Sequence, residues 1–353
     1  MSDSFNSEKE RIVYFDYLRL IACFFVIVIH SVSVFWNDEI CNDSRFIALN
    51  LYDSLSRWSV PAFVMISGAL FLGREISIKR LYGKNILRLF SAFLFWSVMY
   101  LIIEGKDSSP IECVKSLITG NFHMWFILMI IGLYMFLPIL NRVVSDRKLL
   151  KYLLLLALTF SVILPFINLC ILYTDNSGLI SVCEAVSSDI NFMNFGYVSG
   201  YIGYFLLGYY LNTIDIKAET SHLIFFLGIL GFAATYFLTD RVVEKTGKLS
   251  IEFYGDLTLN VLLTAIGCFV FAKYIFKNVR FNSFVSYLSR CTFGAYIIHM
   301  IILNKLIMIP DFSAMDANNL IFIVPILALL TFVISMIISA ILNKIPVINK
   351  YLV

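Results

Sequence analysis

Apolar runs of membrane length alternate with short polar segments from about residue 12 to residue 342, ten in all: 12–36, 50–73, 87–104, 122–140, 150–172, 193–212, 221–239, 257–276, 291–309 and 320–342. A run of about 20 apolar residues crosses a bilayer as a helix, because in hydrocarbon the backbone must satisfy its own hydrogen bonds. The pattern predicts an all-α polytopic transmembrane helix bundle of about ten spans. It forms one domain over 1–353, with 1–11 as a short cytoplasmic tail. Of the 27 Lys and Arg, 18 fall in segments on the N-terminal side of the runs, eight on the other side, and Arg19 inside the first run. That excess puts both termini in the cytoplasm. The opening MSDSFNSEKE is polar and net acidic, so the first run is expected to be a retained anchor rather than a cleaved signal peptide.

Composition agrees with this class: 60% of the residues are hydrophobic and only 14% are charged. A net charge of +3 without a Lys/Arg-rich block excludes nucleic acid as a partner and leaves membrane lipids as the surroundings. Seven cysteines lack CxxC or His/Cys spacing, so no metal site is expected. Cys41, Cys113, Cys170 and Cys183 fall near segments assigned to the outer face, where a disulfide is permitted.

The candidate chemistry starts in the first run, RIVYFDYLRLIACFFVIVIHSVSVFW, which carries Asp16, Arg19 and His30. Arg19 and His30 are eleven residues apart, about three helical turns, so both point the same way roughly 16 Å apart along the axis. Asp16 is one turn before Arg19 and near enough to pair with it. Either the three residues serve the headgroup surfaces, or they are an intramembrane functional set.

Other runs add candidates. REISIKRLYGKNILR carries Lys79, Arg80, Lys84 and Arg88 at spacings of about four residues. It is read either as a topology determinant touching anionic lipid or as the landing site of an anionic cytoplasmic substrate. In the second run Pro61 opens a gap in helix hydrogen bonding, and Ser67-Gly68 allows a close approach by a neighbouring helix or a ligand. In the fourth run His123 and Trp125 sit at the outer interface, with Tyr134 and Pro138 one turn apart lower down. His123 is expected at the depth of His30, while Trp125 also suits an aromatic belt. Gly200, Gly203 and Gly208 of the sixth run permit tight helix packing. His299 lies nine residues, roughly 13 Å, beyond Arg290 and so near mid-membrane, as a structural or a catalytic residue. The segments around 105–121, 174–192 and 240–256 are read as outer loops that fold over an acceptor.

Several pieces, FDYLRLIACFFVIVIH with its Arg-x10-His spacing, VPAFVMISGALFL, HMWFILMIIGLY with Pro138, YIGYFLLGYYL and FGAYIIH, resemble, in order, the acyltransferase-3 family. The likeness is in particular to short stand-alone O-acetyltransferases of bacterial surface polysaccharides. The resemblance implies a multi-pass protein of the bacterial inner membrane. Such a protein moves an acyl group, usually acetyl from cytoplasmic acetyl-CoA, to a hydroxyl of a glycan or lipid-linked sugar. It places Arg19 and His30 in the transfer path and cations opening the third run in the donor site. Many members carry Arg-x-x-Arg there, whereas Asn85-Ile-Leu-Arg88 keeps only the second Arg, with Lys84 adjacent.

Charge and proton chemistry fit that expectation. Lys79, Arg80, Lys84 and Arg88 hold the donor's phosphates, and acetyl-CoA is a substrate rather than a tightly bound cofactor. His30 acts as general base or transient acyl carrier, Arg19 orients donor or carbonyl, and Asp16 holds Arg19. His123, His299 and Ser67 stand in the second rank, with Trp125 and Tyr134 lining the substrate path. A carrier for a small polar metabolite such as an amino acid is the rival, since buried charges also suit translocation. The sequence leaves the acceptor hydroxyl, the acyl length and the oligomeric state, monomer or homo-oligomer, open.

Overall fold

The computed structural model describes residues 12–37, 40–41, 44–104, 109–192, 195–309 and 319–353; the polar tail 1–11 lies outside the described residues. Fifteen helices are named here in chain order: α1 Val13–Ser33, α2 Ser44–Ser56, α3 Ser59–Phe71, α4 Leu87–Glu104, α5 Pro110–Thr119, α6 Trp125–Ser145, α7 Arg147–Leu158, α8 Leu164–Leu172, α9 Ser177–Phe192, α10 Phe195–Thr213, α11 Ala218–Thr246, α12 Leu259–Ile275, α13 Ser283–Ile307, α14 Leu320–Leu342 and α15 Pro346–Tyr351. Among the described residues there is no strand. Among the described residues eight helical segments are long and apolar enough to cross a membrane. The chain is an all-α, multi-pass membrane bundle.

Among the described residues three of the ten apolar runs depart from single regular α-helices, the fifth by a π-helical turn over Thr159–Ile163 between α7 and α8. The second is broken between α2 and α3 at Arg57-Trp58. Pro61 has no N–H to return to the Arg57 carbonyl four residues back, so the helix loses its continuity where a cation sits. The sixth run, α10, is kinked at Gly200 (φ −34°, ψ −107°). Two segments read as outer loops are largely helical, α5 and α9. The signal for α5 is plain in retrospect: Ser109 accepts from the Glu112 N–H while Glu112 accepts from the Ser109 N–H, a capping box opened by Pro110.

α1 is the axis of the molecule and packs against α2, α3, α12, α13 and α14. Its buried face, Phe15, Leu18, Ala22, Val26 and Ile27, is continuous with the cores on either side. α3 is locked to α10 by backbone contact, where a Cβ on Gly68 would lie 1.8 Å from the Phe205 carbonyl oxygen and one on Gly208 would lie 2.0 Å from that of Met65. Gly208→Ala is therefore expected to cost about 3 kcal/mol, the upper end for overpacking, because the obstruction is backbone and cannot rotate away. Thermal unfolding in detergent reads this as a lowered midpoint. Lys273 closes the far end of α10 by donating to the carbonyls of Leu211 (2.8 Å), Asn212 (3.0 Å) and Ile214 (2.7 Å), which otherwise end the helix unpaired.

Candidate active site

Three of the four histidines meet at one end of the bundle. The His30 ring lies 5.0 Å from that of His299 and 6.2 Å from that of His123, and the His123 and His299 centroids are 5.0 Å apart. His30 comes from the last turn of α1, His299 from α13, and His123 from the short 3-10 turn Phe122–Met124 that opens α6. Gly120 makes that turn reachable. It ends α5 at φ +67°, and a Cβ there would meet the Phe93 ring at 2.7 Å, so only glycine brings the chain round at this point. His123 does share the depth of His30. His299, which counting from Arg290 placed near mid-membrane, lies level with them.

The hydrogen bonds separate the three imidazoles by role. His123 is engaged at both nitrogens: Nδ1 is 3.0 Å from Asn121 Oδ1, and Nε2 is 3.3 Å from the Ile297 carbonyl, which also accepts from Tyr100 at 2.7 Å. Tyr296 donates to the His123 carbonyl. Such a residue is a positioning group. His299 is completely buried, and its Nδ1 is 2.5 Å from the Tyr296 carbonyl. A carbonyl only accepts, so Nδ1 carries the hydrogen and Nε2 of the neutral ring holds the lone pair. That Nε2 is buried and has no partner among the described residues. His30 is half-buried, flanked by the Phe122 ring at 5.4 Å. The cluster thus presents one bare buried acceptor beside an open imidazole.

Beside it lies a polar set that the sequence reading missed. Asp53, fully buried, pairs with Arg57 at 2.5 Å and accepts from Trp36 Nε1 at 3.2 Å. The Arg57 guanidinium sits 4.6 Å over the Tyr254 ring and lies within electrostatic reach of His30 and Asp256. Tyr254 donates to Asn50 at 2.7 Å, and Tyr201 donates to Asp256 at 2.7 Å. Counting Arg57 only as an outer-face cation hid it; an Asp and an Arg four residues apart inside an apolar run were the available signal.

The opposite end gathers the other candidates. Ser67 gives its hydrogen to the Phe63 carbonyl at 2.9 Å, and its hydroxyl lies close to that of Tyr134. Arg19 and Arg88 both lie within electrostatic reach of the Tyr134 hydroxyl. Asp16 is 3% exposed, and Asp16 and Arg19 each have an interaction partner. Arg88 donates to the Val353 carbonyl, and its guanidinium lies 5.8 Å from the Phe293 ring centroid. Lys79, Arg80 and Lys84 are exposed, on a helical turn and a π-helix over Leu81–Ile86 that leads into α4. The wider π turn replaces the regular α spacing expected here, and such turns recur at functional sites. Trp125 belongs to the histidine end, its ring 5.7 Å from Tyr201.

Among the described residues no group of three or more His, Cys, Asp or Glu is placed to hold a metal, and all seven cysteines are free thiols. A histidine trio beside a buried ion pair at one end of α1, with a cation, hydroxyl and phenol set at the other, suits proton and acyl chemistry along one helix. A family model described as an acyltransferase domain matches residues 12–340. Neither a curated protein nor a solved structure matches the chain.

Proposed function

Since the chain belongs to the acyltransferase-3 family, whose members are membrane acyltransferases, we propose that it moves an acetyl group from cytoplasmic acetyl-CoA to a hydroxyl of a cell-surface or lipid-linked glycan at the inner membrane of a bacterium. The observation that carries this reading is the division of labour along α1. Arg19 lies near Tyr134, Ser67 and Arg88 at the N-terminal end, and His30 lies against His299 and His123 at the other.

The exposed Lys79, Arg80 and Lys84, with Arg88 behind them, receive the donor's phosphates at the cytoplasmic face, where multiple cations suit a polyanion. Arg88 must exchange its Val353 carbonyl for a phosphate oxygen to take part. Arg19 polarises or orients the donor on its way, with the Tyr134 and Ser67 hydroxyls lining the passage. At the far end His30 removes the acceptor's hydroxyl proton as the oxygen attacks the thioester carbonyl, and the CoA thiolate leaves. Transfer through His30 itself is the covalent variant of the same step. The lone pair on His299 Nε2 accepts a hydrogen bond from the acceptor or from His30 during that proton movement. His299→Ala is expected to lower kcat by about 10²-fold with the donor KM little changed, because it touches the proton path and not the phosphates.

The test is free CoA release by purified protein in phosphatidylcholine proteoliposomes supplied with acetyl-CoA and candidate glycans. Acceptor-dependent release supports the transferase. Folded protein that releases no CoA, yet moves an amino acid across the vesicle wall, overturns it in favour of a carrier.

A further inference from the structure

Beyond the histidines, the same end of the bundle holds chemistry that the transfer step does not use. Tyr201 donates to Asp256 Oδ2 at 2.7 Å, Tyr204 donates to the Asp256 carbonyl at 2.5 Å, and the Trp125 ring, 42% exposed, lies 5.7 Å from the Tyr201 ring. Nothing else among the described residues bonds the Asp256 side chain, so its second oxygen is left to accept. The neighbouring Arg57 and Asp53 are tied to each other, yet Arg57 Nε and Asp53 Oδ1 are buried without a partner. Buried polar atoms of this kind normally carry a partner, and two in a pair whose guanidinium lies within electrostatic reach of Asp256 point to a ligand that supplies it.

Resting on the transferase reading, we propose that Asp256, Tyr201 and Trp125, with the Arg57–Asp53 pair behind them, form the acceptor subsite and select a neutral or amino sugar over an anionic one. The charge count carries the selectivity. Two carboxylates face one guanidinium, and that guanidinium is already committed to Asp53. An incoming carboxylate or phosphate would meet Asp256 with no free cation among the described residues to offset it, and like-charge juxtaposition is strongly disfavoured at low dielectric. A hydroxyl or ammonium donates to the same oxygen favourably. Trp125 and Tyr201 offer ring faces to the apolar C–H side of a pyranose, and a site built to bond hydroxyls discriminates against ligands that lack them.

The experiment is saturation-transfer NMR on the full chain in phosphatidylcholine nanodiscs, with methyl glucoside, methyl glucosaminide and methyl glucuronide as probes. It reads binding without chemistry. The glucoside and the glucosaminide are expected to bind at least about tenfold more tightly than the glucuronide. Asp256→Asn, nearly isosteric, should close that gap to within about threefold, and Trp125→Ala should weaken all three together. Equal binding of the glucuronide by the wild type, no binding of any glycoside, or an unchanged gap in Asp256→Asn would overturn the subsite. CoA release is measured in parallel: failure there with the sugar preference intact removes the transferase reading and keeps the subsite.

Discussion

His30→Ala is expected to lower acetyl transfer by about 10²–10⁴-fold, the range for losing a positioned base, and the covalent variant of the mechanism gives a larger loss. The fold should survive, because the His30 ring is half-buried and makes no hydrogen bond among the described residues. Thermal unfolding should therefore match wild type within about 1 kcal/mol, which separates the loss of chemistry from a loss of structure. His30→Gln gives a finer reading: it restores size and one hydrogen-bonding group but cannot hold a proton. Activity recovered in His30→Gln would show that the ring only positions the acceptor.

Arg57→Ala is the largest stability effect in view. It removes the one cation that, among the described residues, pairs with the fully buried Asp53, and leaves that carboxylate with Trp36 Nε1 as its other donor. Breaking a buried pair from one side typically costs about 3–5 kcal/mol, because an uncompensated charge stays inside. Replacing both residues, Asp53→Asn with Arg57→Gln, should recover more than half of that loss, since neither charge is then buried. Thermal unfolding of the two single variants and the double variant in detergent measures the coupling directly. If Arg57→Ala unfolds like wild type, the pair is solvated and the arrangement beside His30 is looser than described.

The first of these predictions rests on a residue that the sequence exposes, the second on one that it conceals. His30 stood out because hydrocarbon rejects an imidazole, and its spacing from Arg19 fixed a common helix face. The convergence of His123 and His299 on His30 was legible only as shared depth; that His299 keeps Nε2 free while His123 is held at both nitrogens depends on the carbonyls of Tyr296 and Ile297, and no spacing rule reports those. Arg57 and Asp53 were concealed for a physical reason. A single apolar run was assumed straight, so its cation was assigned to the surface, whereas Pro61 breaks the helix just there and turns the joint inward. Asp256 lay in a segment read as loop, and Tyr201 and Tyr204, on α10, give it a place. The close packing of α3 on α10 was readable from Ser67-Gly68 and the glycines of the sixth run. The π-helix over Leu81–Ile86 left no mark in the pattern.

Transfer along α1 from the cation end to the histidine end makes a sidedness claim that a single measurement addresses. Proteoliposomes with the N-terminal face inward are loaded with acetyl-labelled acetyl-CoA, and methyl glucoside is supplied outside only. Labelled acetyl ester should form outside while free CoA stays inside, with His30→Ala giving neither. Ester that forms only when the glycoside is placed inside with the donor would contradict transfer along the helix and put both substrates at the cation end.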